Sequence, residues 1–194
     1  MDFELSHRQA LPSDLAVLRS LMDRSIRAFI GSVVDTPLLA AHFDIMGVDT
    51  QLIEDGTYFV ITLASDAGGH EKIAGCGGWG RRATLFGGDH TAGRSARLLD
   101  PSTEPARVRA MYTDPDFARR GIGRRILDLC EGAAAAEGFT RLELFATMAG
   151  EPLYAAYGFT VVERLRVPTS TGVPVAGATM AKTIERADRT ERDQ

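Results

Sequence analysis

Apolar side chains recur along this chain with two different periods. From Asp14 to Ile30, the positions Leu15, Leu18, Leu21, Met22, Ile26, Phe29 and Ile30 return at three- and four-residue intervals, which places them on one face of a helix. Pro12 and Ser13 stand just before it, and the pattern predicts Ser13 as its N-cap. Gly121–Glu137 shows the same period: Ile122, Ile126, Cys130 and Ala134 make a stripe, with Leu127 beside it. The alanines at 133–136 have high helix propensity, and Gly138 is a natural stop. Shorter helices are predicted over Pro37–Met46 and over Glu151–Tyr157, the second closed by Gly158. Two-residue alternation, or enrichment in β-branched and aromatic residues, marks strands at Phe3–Gln9, Tyr58–Ala64, Lys72–Trp79, Ala106–Thr113, Arg141–Ala146, Thr160–Val167 and Val175–Thr183. Ser65–Gly69 reads as a hairpin turn, and Pro168–Pro174 as the loop joining the last two strands.

This order predicts an α/β chain, α+β by stricter naming, in which helices and strands share one core. The strand–helix–strand unit spanning 106–146 demands a parallel pair. Residues 80–105 show little periodicity and predict a long surface loop or insertion, carrying Arg81, Arg82, Arg94 and Arg97 within reach of an anionic group. The expected division is one domain over 1–184 and a polar tail over 185–194 that frays.

Length and composition narrow the class. The chain has 194 residues, 44% hydrophobic and 25% charged, in the range of a globular protein rather than a disordered or fibrous one. A net charge of −4 gives no basis for a nucleic-acid or anionic-membrane partner. The N-terminus lacks the apolar core of a secretory signal, and no run approaches the roughly 18 apolar residues of a membrane span. Two cysteines, Cys76 and Cys130, and four scattered histidines predict neither a disulfide framework nor a metal site, and a cytoplasmic location is expected.

The informative stretch is ARVRAMYTDPDFARRGIGRRIL, residues 106–127. A strand ends at Thr113, and Arg119-Arg120-Gly121-Ile122-Gly123-Arg124 then opens a helix. Glycines at a helix start let backbone N–H groups approach a ligand. First-turn N–H groups have no intrahelical partner and lie at the positive end of the helix dipole, so they suit a phosphate. On the residues alone, an anion site and a tight turn with solvated arginines both stand. A dinucleotide fingerprint would need glycine where Ile126 stands, and a Walker loop would need Lys and Ser or Thr after Gly123, where Arg124-Arg125 follow.

The segment resembles motif A of the GCN5-related N-acetyltransferase (GNAT) family, whose pyrophosphate loop reads Q/R-x-x-G-x-G/A. Gly121 and Gly123 match the glycines, while the Q/R position falls on Ala118. Tyr154-Ala-Ala-Tyr157-Gly158-Phe159 resembles the Y-x-x-x-G-F of motif B, although the asparagine that often follows the motif-B strand is Thr147 here. The resemblance implies a mixed central sheet flanked by helices, with a parallel strand pair that splays at its C-terminal ends. It implies acetyl-CoA as co-substrate in that V and no metal. Met111, Tyr112 and Thr113 would pair with the pantetheine, and Arg119, Arg120, Gly121, Ile122, Gly123 and Arg124 would hold the pyrophosphate. Tyr154 would be the catalytic donor to the departing thiolate. The implied activity is transfer of an acetyl group to a primary amine of a small-molecule acceptor, with no nucleic-acid or membrane partner and a possible homodimer. The competing readings are a non-catalytic acyl-CoA sensor and a protein lysine or N-terminal acetyltransferase.

Other candidates carry less specific signals. Glu71, Glu104, Glu143 and the histidines are titratable, but none is marked out as the base, and a water relay serves equally. Arg107 and Arg109 share a strand face opposite Val108, Ala110 and Tyr112, which suggests an acceptor carboxylate. Trp79 is expected either to line the acceptor pocket or to pack, and Cys130, on an apolar stripe, to pack.

Overall fold

Seven strands hydrogen-bond into one sheet in the order β1-β2-β3-β4-β5-β7-β6. The computed structural model describes residues 5–63 and 71–185. The strands are β1 (Leu5–Gln9), β2 (Tyr58–Leu63), β3 (Lys72–Gly80), β4 (Ala106–Thr113), β5 (Arg141–Thr147), β6 (Thr160–Val167) and β7 (Val175–Thr183). Every neighbouring pair is antiparallel except β4–β5, the parallel pair that the strand–helix–strand order requires. The turn expected at 65–69, the first residues of the N-terminal strand and the tail from 186 lie outside the described residues.

Helices cover both faces, so the central strands are buried on both sides. α1 (Leu15–Phe29) lays Leu18, Leu21 and Ile26 on one face, against Tyr58 and Val60 of β2 and Tyr112 of β4. α4 (Ile122–Ala136) lays Ile122, Ile126, Leu127, Cys130 and Ala134 on the other, against Ile61, Val108 and Leu142. Alternate residues of β2 thus feed two separate cores. β3 carries glycines beneath α4, and a Cβ at Gly77 would stand 2.7 Å from Ile126 Cγ2, so this helix rests directly on backbone. α2 (Thr36–Ile45) packs Ala41 and Ile45 on Val167 and Val175, and α5 (Glu151–Tyr157) follows β5.

Three local expectations change. Ser13 does not cap α1: a 3-10 turn over Pro12–Asp14 precedes the helix, and it is Asp14 that accepts the Leu11 N–H at 2.7 Å and the guanidinium of Arg8. A carboxylate already held by an arginine outcompetes a hydroxyl there. A further helix, α3 (Thr50–Glu54), has no counterpart in the periodicity because one turn is too short to show it. Its signal is Asp49, whose carboxylate accepts the Gln51 N–H at 3.1 Å. Residues 81–105 are irregular as expected, but closely tied to the body: Arg82 bridges to Leu98, and Thr84 Oγ1 donates to Ser95 O at 3.0 Å.

Candidate active site

β4 and β5 pair only at Ala106–Leu142 and Arg107–Glu143. Beyond those two rungs the strands part, and the edge of β4 that faces β5 carries no strand. A bulge then re-aims β4. Gly78 pairs with Arg109 but Cys76 with Tyr112, so β4 has one residue extra, at Ala110 with φ 51°. Tyr58, fully buried, holds this bulge by donating its hydroxyl to Ala110 O at 2.7 Å. The bulge overturns one expectation. Tyr112 does not lie opposite Arg109; the extra residue moves it to the arginine's face, where its hydroxyl donates to Gly47 O at 3.1 Å. Met111 takes the α4 side.

After β4 the chain makes a 3-10 turn over Pro115–Phe117, capped by the buried Asp114, whose carboxylate accepts the Asp116 N–H at 3.0 Å and pairs with Arg24 of α1. Arg119 (φ 63°) and Gly121 (φ 78°) then both adopt left-handed backbone. Gly121 is the N-cap of α4, and a Cβ there would meet nothing within 4 Å, so backbone conformation alone demands the glycine. Gly123 has a different reason: a Cβ would stand 2.7 Å from Leu153 Cδ2 of α5. The first intrahelical bond runs from the Arg125 N–H to Gly121 O at 3.0 Å. The N–H groups of Ile122, Gly123 and Arg124 have no carbonyl within the helix and sit at its positive end.

One cavity of about 530 Å³ occupies the V. The expected cofactor residues converge on it: Met111, Tyr112 and Thr113 from β4, and Arg119, Gly121, Ile122, Gly123 and Arg124 from the loop and α4. Arg120 does not line it; its guanidinium lies 5.6 Å over the Phe117 ring. Tyr154 reaches the same cavity from α5, its ring edge-on to Phe159 at 6.0 Å. No hydrogen bond to a described residue is made by its hydroxyl. Burial pushes its pKa up to about 12, so it is a protonated donor at neutral pH. The cavity fits an extended acylated carrier with an anionic end: a free strand edge on one wall, unpartnered amides at one end, and a phenol between.

The other expected residues are committed elsewhere. Each arginine of the long loop faces a carboxylate: Arg81 with Glu137, Arg82 with Asp55, Arg94 with Asp49 and Arg97 with Glu104. None of the four lines the cavity. Arg107 pairs with Glu143, and the buried Arg109 pairs with Asp49 and donates to Gly87 O at 2.6 Å, so neither guanidinium stands waiting for an acceptor carboxylate. Trp79 packs edge-on against Phe139 at 5.7 Å, 1% exposed and away from the cavity. Among the base candidates, Glu71 pairs with Arg8, while His42 and His90 each bond a backbone carbonyl, at 2.7 and 2.9 Å. His7 meets Arg125 at 3.4 Å, and His70 lies outside the described residues. Cys130 is buried in the core, where desolvation pushes its thiol pKa up, and it is no nucleophile.

The periodicity missed the second half of the cavity. Phe29 and Ile30 end α1, Met46 follows α2, Leu85 and Phe86 come from the long loop, and Phe145 from β5. Leu85-Phe86 is one of two apolar pairs in this segment, the other being Leu98-Leu99, so the sequence carried a signal but not one specific to the cavity.

Comparison with known proteins agrees with this geometry. The family model described as an acetyltransferase (GNAT) domain matches residues 54–161, more than half of the chain. The chain belongs to the GNAT acetyltransferase family. A search of curated proteins gives no significant match. Among solved structures, a GCN5-related N-acetyltransferase from Rhodopseudomonas palustris is similar at 20% identity and TM-score 0.64, over 94% of this chain and 98% of that one. The protein yncA of Salmonella typhimurium, solved with its cofactor acetyl-CoA, matches at 16% identity and TM-score 0.59, over 98% and 99% of the chains. The ribosomal-protein-S18-alanine N-acetyltransferase of Escherichia coli matches at 16% and 0.54, over 98% and 100%. These likenesses show the fold. Among the described residues no helix is long and apolar enough to cross a membrane, and no group of three His, Cys, Asp or Glu is placed to hold a metal.

Proposed function

We propose that this chain is an acetyl-CoA-dependent N-acetyltransferase that passes the acetyl group directly to a primary amine of a small molecule. One observation carries the reading: the splayed β4 edge, the left-handed loop before α4 and the Tyr154 hydroxyl meet in a single cavity. The yncA structure holds acetyl-CoA on the same fold.

The chain's residues divide the work. The free edge of β4 at Met111–Thr113 takes the pantetheine amides as an added strand, and the Ile122, Gly123 and Arg124 N–H groups take the pyrophosphate, supported by the charge of Arg119 and Arg124. The amine enters from the α1 side and attacks the thioester carbonyl. The N–C bond forms, the C–S bond breaks, and Tyr154 gives its proton to the departing thiolate. The amine's surplus proton leaves to water, which reprotonates Tyr154. With no carboxylate or imidazole among the described lining residues, water is the proton acceptor this site favours.

A thermal shift tests the donor half. Acetyl-CoA at about 100 times its Kd stabilises the fold by about 2.7 kcal/mol, which for a chain of this size raises Tm by roughly 5–10 °C. Gly121→Trp, which forces a side chain onto left-handed backbone at the mouth of the cradle, is expected to abolish the shift. No shift in folded wild-type protein refutes the reading.

A further inference from the structure

The cavity has two chemically distinct ends, and the acceptor end has a composition that selects its substrate. The loop end carries Arg119 and Arg124 beside the helix amides. The acceptor end is walled by Phe29, Ile30, Met46, Leu85, Phe86 and Phe145, with the Phe86 and Phe145 rings 5.0 Å apart. Among the described residues, no Asp, Glu, His or Lys lines the cavity at all. The charge from β4 is Arg109, and its phenol is Tyr112; α5 contributes the phenol of Tyr154. Burial raises the pKa of both tyrosines, so both are neutral at physiological pH. The segments of α1, α2, β5 and the long loop that line this end contribute no ionisable group.

The acceptor end therefore offers an incoming cation no counter-charge: Arg109 is already neutralised by Asp49, and Arg94, which shares that carboxylate, also meets Asp89 at 3.7 Å. Asp49, the counter-ion of Arg109, is fully buried, does not line the cavity, and also pairs with Arg94 and caps α3. It is not available to an incoming ammonium. An alkylamine with a pKa of about 10 is neutral in only about one molecule per thousand at pH 7. Its cation would lose water among apolar side chains and beside an ion pair already closed on itself, with no lining carboxylate to pair with and no base to take its proton. An arylamine is neutral at that pH already, and its flat ring suits a wall made of phenylalanine side chains.

We propose, resting on the acetyltransferase reading above, that the acceptor is a neutral, apolar amine of low basicity, an arylamine, seated between the end of α1, Leu85-Phe86 and Phe145. The nitrogen lone pair forms the new amide bond, the C–S bond breaks, and the nitrogen's proton passes to water while Tyr154 protonates the thiolate. The net products are the N-acetylarylamine and free CoA.

The test is CoA release from p-toluidine, benzylamine and phenylalanine, three acceptors of similar ring size, from pH 6 to pH 8. The expected kcat/KM at pH 7 is at least about tenfold higher for p-toluidine than for benzylamine. The p-toluidine profile should be flat, and the benzylamine profile should rise about tenfold per pH unit with its neutral fraction. Phe86→Ala should raise KM for p-toluidine by about tenfold, a loss on the scale of one buried contact, and leave the Kd of acetyl-CoA unchanged. Preference for benzylamine or phenylalanine, or a flat benzylamine profile, overturns the inference. Absence of turnover with all three, while acetyl-CoA still raises Tm, also overturns it but leaves the donor reading standing. Failure to bind acetyl-CoA overturns the parent reading.

Discussion

Replacing Tyr154 by Phe removes one oxygen from a side chain that lines the cavity and little else. The ring keeps its edge-on contact with Phe159, and no described residue loses a hydrogen-bond partner, because none bonds the hydroxyl. Stability should therefore stay within about 0.5 kcal/mol of wild type. Catalysis should not. A hydrogen bond to a charged group contributes about 1.5–3 kcal/mol, and the developing thiolate is the charged partner here. At about 1.4 kcal/mol per factor of ten, kcat should fall roughly 10- to 150-fold. The assay is steady-state CoA release at saturating amine, with the Kd of acetyl-CoA measured alongside by calorimetry. The expected pattern is a lower kcat at unchanged Kd. Because burial holds the wild-type phenol at a pKa of about 12, this group should cause no alkaline fall in kcat between about pH 7 and 10. An unchanged kcat refutes the role, and a Kd that rises in step with the loss makes Tyr154 a binding residue only.

The buried Asp49–Arg109 pair ties β4 to the segment before α3, and Arg109 also holds Gly87 of the long loop. Asp49→Ala strands two arginines without their shared carboxylate, so stability should drop by about 3–5 kcal/mol, a fall in Tm of roughly 6–20 °C by calorimetry; a loss below about 1 kcal/mol contradicts this account. Burial pushes the Cys76 thiol up to about 12 and the Cys130 thiol higher still, so a disulfide reagent should label neither in the folded chain and both after unfolding in urea. The Arg8 guanidinium holds the Asp14 carboxyl below its ordinary value of 3.8 against the opposing cost of burial. A depressed pKa contributes stability that is complete above the ordinary value and is lost as pH falls through the folded one. Urea midpoints at pH 7 and pH 3 should therefore fall less steeply with acid for Asp14→Asn than for wild type, and equal slopes would contradict the pairing.

Much of the architecture was legible because burial imposes a period on the sequence. The stripe Ile122, Ile126, Cys130, Ala134 is the face that α4 buries, and the strand–helix–strand order forced the parallel pair. Gly121 and Gly123 marked the start of α4, yet for reasons that one dimension hides: a left-handed φ at one, the approach of Leu153 at the other. The expectations that failed depended on side-chain partners or backbone irregularities that leave no mark on the hydrophobic period. The four arginines of residues 81–105 looked available because their carboxylates lie 7 to 56 positions away. The Ser13 cap failed because Arg8 had already oriented Asp14. The bulge at Ala110 leaves no mark on the alternation, and it moved Tyr112 to the face of Arg109.

The sequence by itself determined the seven strands, the longer helices, their order and the place of the glycine loop, since local periodicity and backbone preference act within a few residues. Tertiary structure alone decided which charges are already neutralised, and that the far end of the cavity is apolar and without a base. Those properties belong to side chains from α1, the long loop and β5, more than a hundred residues apart along the chain between Phe29 and Phe145, that share a wall only after the sheet has formed.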